Sequence, residues 1–141
     1  MRHYVRPDGL PPVIGYSHAV AFGGPLIVVS GQVPLDANGR LVGKDDPAAQ
    51  IRQVFENLAA ALAAAGATMD QVVKLTVFLT DLADLAEFRR IRDEYISAEL
   101  PPASSLVQVS GLVNPDFRVE VEALAAAGNK AADGDLPPAR S

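Results

Sequence analysis

An α+β layer sandwich, with one mixed β-sheet carrying two helices on a single face, is the fold the sequence predicts. Three observations lead there. Segments with strand and helix patterning follow one another as β-β-α-β-α-β-β. The strand segments alternate apolar and polar residues, so each has one face suited to a core. Only two segments repeat at helical spacing, and two helices cover one side of a sheet.

Residues 1–15 contain Pro7, Gly9, Pro11, Pro12 and Gly15, which reads as an extended arm. The runs HAVAF (18–22) and PLIVVSG (25–31) flank Gly23-Gly24 and predict a β-hairpin, with a second turn at Asn38-Gly39. Asp46 before Pro47 supplies an N-cap and a proline at the first helical position. Ile51, Val54, Phe55, Leu58 and Leu62 then recur at helical spacing up to the stop at Gly66. Along 72–80, Val73, Leu75, Val77 and Leu79 alternate with Lys74, Thr76, Phe78 and Thr80, a strand with one apolar face. A second helix is expected over about 84–98, where Leu85, Phe88, Ile91 and Tyr95 share a stripe and Pro101-Pro102 forbid continuation. Strands are expected at 104–109 and 117–124, the latter with Phe117, Val119 and Val121 opposite Arg118, Glu120 and Glu122. The sheet face away from the helices, expected to carry Thr76, Phe78, Leu106 and Glu120, is too apolar to stay fully wet, which predicts self-association. We therefore expect a single domain over 1–127 and a disordered tail over 128–141, which is small, polar and proline-containing.

With 141 residues, 12 basic and 17 acidic, the chain carries a formal charge of −5, a field that repels phosphates. Nucleic acid is not an expected partner. The chain has no cysteine, which excludes disulfides, thiolate nucleophiles and zinc–sulfur sites, and its two histidines, His3 and His18, are too few for a multi-histidine metal centre. Ser30, Ser104 and Ser105 have no histidine at motif distance, so no Ser-His-Asp triad is indicated, and no phosphate-binding glycine loop occurs. There is no stretch apolar enough to span a membrane and no secretory signal at the N-terminus, so the expected location is cytoplasmic.

The segments VSGQVPLD (29–36), ENLAAALAAAGATMDQVVKLTVFLTDLADL (56–85) and PPASSLVQV followed by VEVEA (119–123) resemble the RidA/YjgF family of reactive-intermediate deaminases, over about residues 13–126. The resemblance implies a chorismate-mutase-like fold and a homotrimer with small-metabolite sites between subunits. It also implies cofactor-free hydrolysis of imines and enamines of 2-oxo acids. Carried over by position, it implies that Glu120 orients the attacking water and that Tyr16, Ser30, Gly31, Arg89 and Leu106 line the pocket.

Gly15 stands where the family motif has proline before its tyrosine, Leu106 where many members have cysteine and Arg89 where some have asparagine, and a fourth departure is the decisive one. Where relatives read P-A-R-S, this chain reads PPASS, placing Ser104 where the family has a carboxylate-binding arginine. A guanidinium fork meets a carboxylate with two charge-assisted hydrogen bonds. At about 1.5–3 kcal/mol each, their loss weakens binding by about 10²- to 10⁴-fold. Ser104 offers one neutral donor instead. Classical 2-iminoacid deamination is then either lost, altered toward a non-standard imine or enamine, or served by another arginine; a non-catalytic ligand-binding or protein-interaction trimer is the reading from outside enzymology. Arg118 shares a strand face with Glu120 and either serves the pocket or pairs with Glu120 or Glu122, and Arg89 either stands beside the pocket, as the alignment implies, or lies on the solvated face of its helix. Arg90 and Arg92 are expected on a solvated helix face with Glu87, Asp93 and Glu94.

Overall fold

The structure, a computed structural model, describes residues 1–127. A four-stranded sheet ordered β3-β6-β4-β5 is built from β3 (Leu26–Gln32), β4 (Val72–Leu79), β5 (Ala103–Gln108) and β6 (Val119–Ala126). β6 runs antiparallel to both β3 and β4, whereas β4 and β5 are parallel. The helices α1 (Pro47–Ala64) and α2 (Leu85–Tyr95) pack on one face. The parallel β4–β5 pair needs a crossover, and α2 supplies it.

α1 starts where the sequence says it should: the Asp46 side chain accepts from the Ala49 N–H at 3.2 Å and Pro47 opens the first turn. Gly66 at φ +80° turns the chain away at the other end. The buried stripe of α1 is Ile51, Val54, Phe55, Leu58 and Leu62, packed on Leu75, Val77 and Leu79 of β4 and Val119, Val121 and Ala123 of β6. Phe55 lies between Phe88 and Tyr95, with ring centroids 5.7 and 4.9 Å away, which ties α1 to α2. Gln50, fully buried in this stripe, gives its amide N–H groups to the carbonyls of Gly43 and Asp116 and accepts the Arg118 N–H at 2.8 Å. A buried amide survives because each of its polar atoms is paired, and this one fixes the entry into β6.

Four expectations fail. The segment 18–31 does not form a hairpin: β2 (Ala19–Ala21) pairs with an N-terminal strand β1 (Arg2–Tyr4), while β3 pairs with β6. The residues expected as an extended arm thus contain a strand. α2 ends at Tyr95, because Ile96 turns to an extended φ of −111° and tucks into the core. Leu106, expected on the open sheet face, sits opposite Val77 and packs on the core, on the helix side. The tail expected over 128–141 lies outside the described residues.

The open face carries Leu26 and Val28 of β3, Lys74, Thr76 and Phe78 of β4, Ser105 and Val107 of β5, and Glu120, Glu122 and Leu124 of β6. Val28 is 70% exposed and Val107 47%. A small recess of about 140 Å³ lies on this face among Val28, Lys74, Thr76, Glu122 and Leu124. No helix among the described residues is long and apolar enough to cross a membrane.

Candidate functional site

The β3–β6 ladder is regular up to Val29 opposite Ala123, then shifts register before Gln32 pairs with Val121. The irregularity is a bulge centred on Ser30 and Gly31, a device that re-aims a strand locally. It brings the Gly31 backbone against the side chain of Glu120. A Cβ at Gly31 would lie 2.8 Å from the Glu120 Cδ and closer still to Oε2, so glycine is what lets strand and carboxyl group share this space. Glu120 is half-buried and its carboxylate makes no hydrogen bond among the described residues, leaving its oxygens available as acceptors. Ser30 is exposed, and its carbonyl accepts from the Gln32 amide at 3.0 Å. Beyond Gly31 the surface continues as an open groove of about 670 Å³ between the 31–37 segment and the Gln53–Ala61 side of α1. Asn57 shapes it by donating to the carbonyls of Val33 and Leu35.

Ser104 and Leu106 do not join this group within one protomer. They lie opposite Leu75 and Val77, on the helix side of the edge strand β5, whereas Glu120 pairs with Phe78 on the other face and β4 stands between. What does approach Ser104 is the segment 15–17. Ser17 bridges Ala103 in parallel fashion, its N–H donates to the Pro102 carbonyl at 2.9 Å, and its hydroxyl donates to the Pro101 carbonyl. Tyr16 therefore sits beside the start of β5, its ring edge-on to His18 at 5.6 Å.

The arginines separate clearly. Arg118 turns to Asp84 rather than to Glu120 or Glu122, donating from Nε to Oδ2 at 2.8 Å and from Nη2 to Oδ1 at 3.0 Å. These bonds hold its pKa above the usual guanidinium value. Asp84 is the better buried of the pair, its side chain 8% exposed against 32% for Arg118. Arg90 pairs with Glu87 at the surface, as expected of a solvated face, while Glu94 pairs with Arg52 of α1. Arg89 is half-buried and makes no hydrogen bond or ion pair among the described residues. Arg92 is not on the solvated face: it is 7% exposed, buried beneath Gly15. A signal for this was present, since residue 92 follows Leu85 by seven and Phe88 by four, inside the apolar stripe.

The family model for endoribonuclease L-PSP matches residues 8–127. The chain is 35% identical over 124 residues to 3-aminoacrylate deaminase RutC of Acinetobacter baylyi, covering 88% of this chain and 97% of that one. It is 34% identical over 128 residues to the 2-iminobutanoate/2-iminopropanoate deaminase of Salmonella typhimurium, covering 89% and 98%. The crystal structure of YyfB of Yersinia pestis, a protein of unknown function of the conserved Rid family, superposes with a TM-score of 0.80 at 36% identity, covering 86% of this chain and 96% of that one. Two helices on a mixed sheet, the SGQ-x-P bulge against Glu120 and these matches lead to one statement: the chain belongs to the RidA/YjgF family, the endoribonuclease L-PSP family of proteins.

Proposed function

We propose that the protein is a cofactor-free hydrolase of small imines or enamines, with Glu120 orienting the attacking water and Tyr16, Ser30, Gly31, Arg89, Ser104 and Leu106 around the substrate. The observation that carries the proposal is the apposition of Gly31 and Glu120, which leaves a half-buried carboxylate with open acceptor positions against the bulged backbone of β3. A carboxylate so placed accepts a proton from water as the water adds to an electrophilic C=N carbon. An enamine first tautomerises to its imine; the proton taken from water then passes to nitrogen, and the tetrahedral adduct expels ammonia as its hydroxyl gives up the remaining proton, leaving the carbonyl compound. Ser104 takes no part in a bidentate carboxylate clamp, so an acid substrate draws its counter-charge from a residue outside β5. Arg118 is already spoken for by Asp84.

The two groups of pocket residues lie on opposite faces of the sheet, separated by β4. This supports a site completed between copies of the chain, with the exposed apolar residues Leu26, Val28 and Val107 covered by neighbours in a homotrimer. Light scattering on the purified protein is expected to give three chain masses.

The test of the reaction is direct. Freshly generated 2-aminoacrylate is expected to disappear faster with the wild-type chain than in buffer, and Glu120→Gln is expected to lower that rate by about 10²- to 10⁴-fold without unfolding the protein. No acceleration by the wild type over buffer for 2-aminoacrylate, or for an imine made by an amino-acid oxidase, overturns the proposal and leaves a ligand-binding trimer in its place.

A further inference from the structure

Arg92 leaves the last turn of α2 and ends under the segment 15–17, with its side chain only 9% exposed. A Cβ at Gly15 would lie 3.0 Å from its Nη1 and closer still to Cζ and Nη2, so the guanidinium occupies the space a side chain at position 15 would need. Gly15 is held at φ +69°, a conformation glycine adopts without strain. Two residues later Ser17 is bonded to Pro101 and Pro102 and bridged to Ala103, the residue before Ser104. Arg92, Tyr16 and Ser104 are thus gathered at one corner, where the C-terminal end of α2 meets the start of β5.

The charge at this corner is weakly committed. Nε and Nη2 of Arg92 both donate to a single oxygen, Oδ1 of Asp93, at 3.1 and 2.9 Å. Asp93 is the adjacent residue, and its side chain is 64% exposed. Nη1 makes no hydrogen bond among the described residues. A guanidinium this well buried is normally met by a bidentate carboxylate. Here it has half of one, from a group that water solvates well and that retracts without disturbing the core. Arg118 is the contrast, gripped through two oxygens by a buried acid.

We propose that Arg92 supplies the carboxylate-binding guanidinium of the pocket, entering from α2 where relatives use β5, so that the substrates are small imino or enamino acids whose carboxylate displaces Asp93. This rests on the hydrolase reading above and names its substrate class. It is Arg92, not Arg89 three residues earlier on the same helix, that supplies the three atoms nearest a Cβ at Gly15.

Pyruvate and its uncharged amide, titrated calorimetrically into the full chain, test this inference. The wild type is expected to bind pyruvate about a hundredfold more tightly than the amide, and Arg92→Gln to erase that preference while leaving the amide unchanged. Asp93→Asn, an exposed change that spares the fold, is expected to tighten pyruvate binding several-fold, an effect a purely structural Arg92 does not produce. Gly15→Ala, which leaves the charge but displaces it, is expected to weaken pyruvate binding. Undiminished pyruvate binding by folded Arg92→Gln overturns the inference. If that variant does not fold, pyruvate binding unaltered in both Asp93→Asn and Gly15→Ala overturns it equally. A wild type that consumes 2-aminoacrylate yet does not distinguish pyruvate from its amide defeats the Arg92 assignment alone; one that neither consumes the enamine nor binds pyruvate defeats the hydrolase reading with it.

Discussion

Gly31 and Glu120 meet so closely across the β3–β6 ladder that no side chain fits between them. Both the position of the carboxylate and the bulge that admits it depend on the residue at 31 having no Cβ. Gly31→Ala is expected to push the Glu120 carboxyl group aside rather than to break the sheet, because the group in the way is the end of a side chain. The expected result is a stability loss of under about 1 kcal/mol, with turnover of 2-aminoacrylate reduced about a hundredfold by misplacement of the base. Denaturant melts and initial rates on one preparation measure both.

The Arg118–Asp84 fork is a structural link between the entry of β6 and the turn preceding α2. Asp84→Ala leaves a partly buried guanidinium without its acceptors, and a loss of about 1–3 kcal/mol is expected. Urea melts check it. A variant as stable as the wild type would show the fork to be incidental.

The aromatic stack joins the two helices. Phe55 is fully buried between Phe88 and Tyr95, and Phe55→Ala is expected to cost about 3–5 kcal/mol. Tyr95 itself donates to Glu56 at 2.6 Å, and burial together with that carboxylate pushes its phenol up to about 12. In an absorbance titration one of the three tyrosines is therefore expected to ionise late, near pH 12, and Tyr95→Phe is expected to remove that phase.

His3 lies in β1 with its Nε2 buried and without a hydrogen-bond partner among the described residues. Burial, aided by the nearby N-terminal ammonium, lowers its pKa from the usual 6.5. Because the folded form disfavours the charged ring, the stability it contributes is intact above pH 6.5 and falls away as acid drives the pH toward the lowered folded value. Hydrogen exchange at Arg2–Tyr4 is expected to quicken between pH 7 and 5 after correction for intrinsic rates, and His3→Phe to flatten that trend.

What the sequence made legible was whatever a local pattern encodes. α1 carries its own cap, stripe and stop, and β4 its own alternation, so both follow from residues close in the chain. Partner choice is not local. The runs 18–22 and 25–31 have strand character and a turn between them, yet β2 finds β1 and β3 finds β6, some hundred positions away by sequence number. Side-chain period also cannot say which way an edge strand faces, which is how Leu106 came to be expected beside Glu120. Among site residues, the Gly31–Glu120 apposition joins two strands far apart in the chain, which no local pattern encodes. The burial of Arg92 did not emerge, because charge outweighed its place in the apolar stripe, and only the folded chain brings Gly15 over it.

The shared space at positions 15 and 92 binds the two in geometry. A residue at 15 larger than glycine meets the far end of a flexible side chain, so the arginine yields by swinging its guanidinium aside. One methyl group in the opening segment thereby relocates a positive charge on a helix some eighty positions further along.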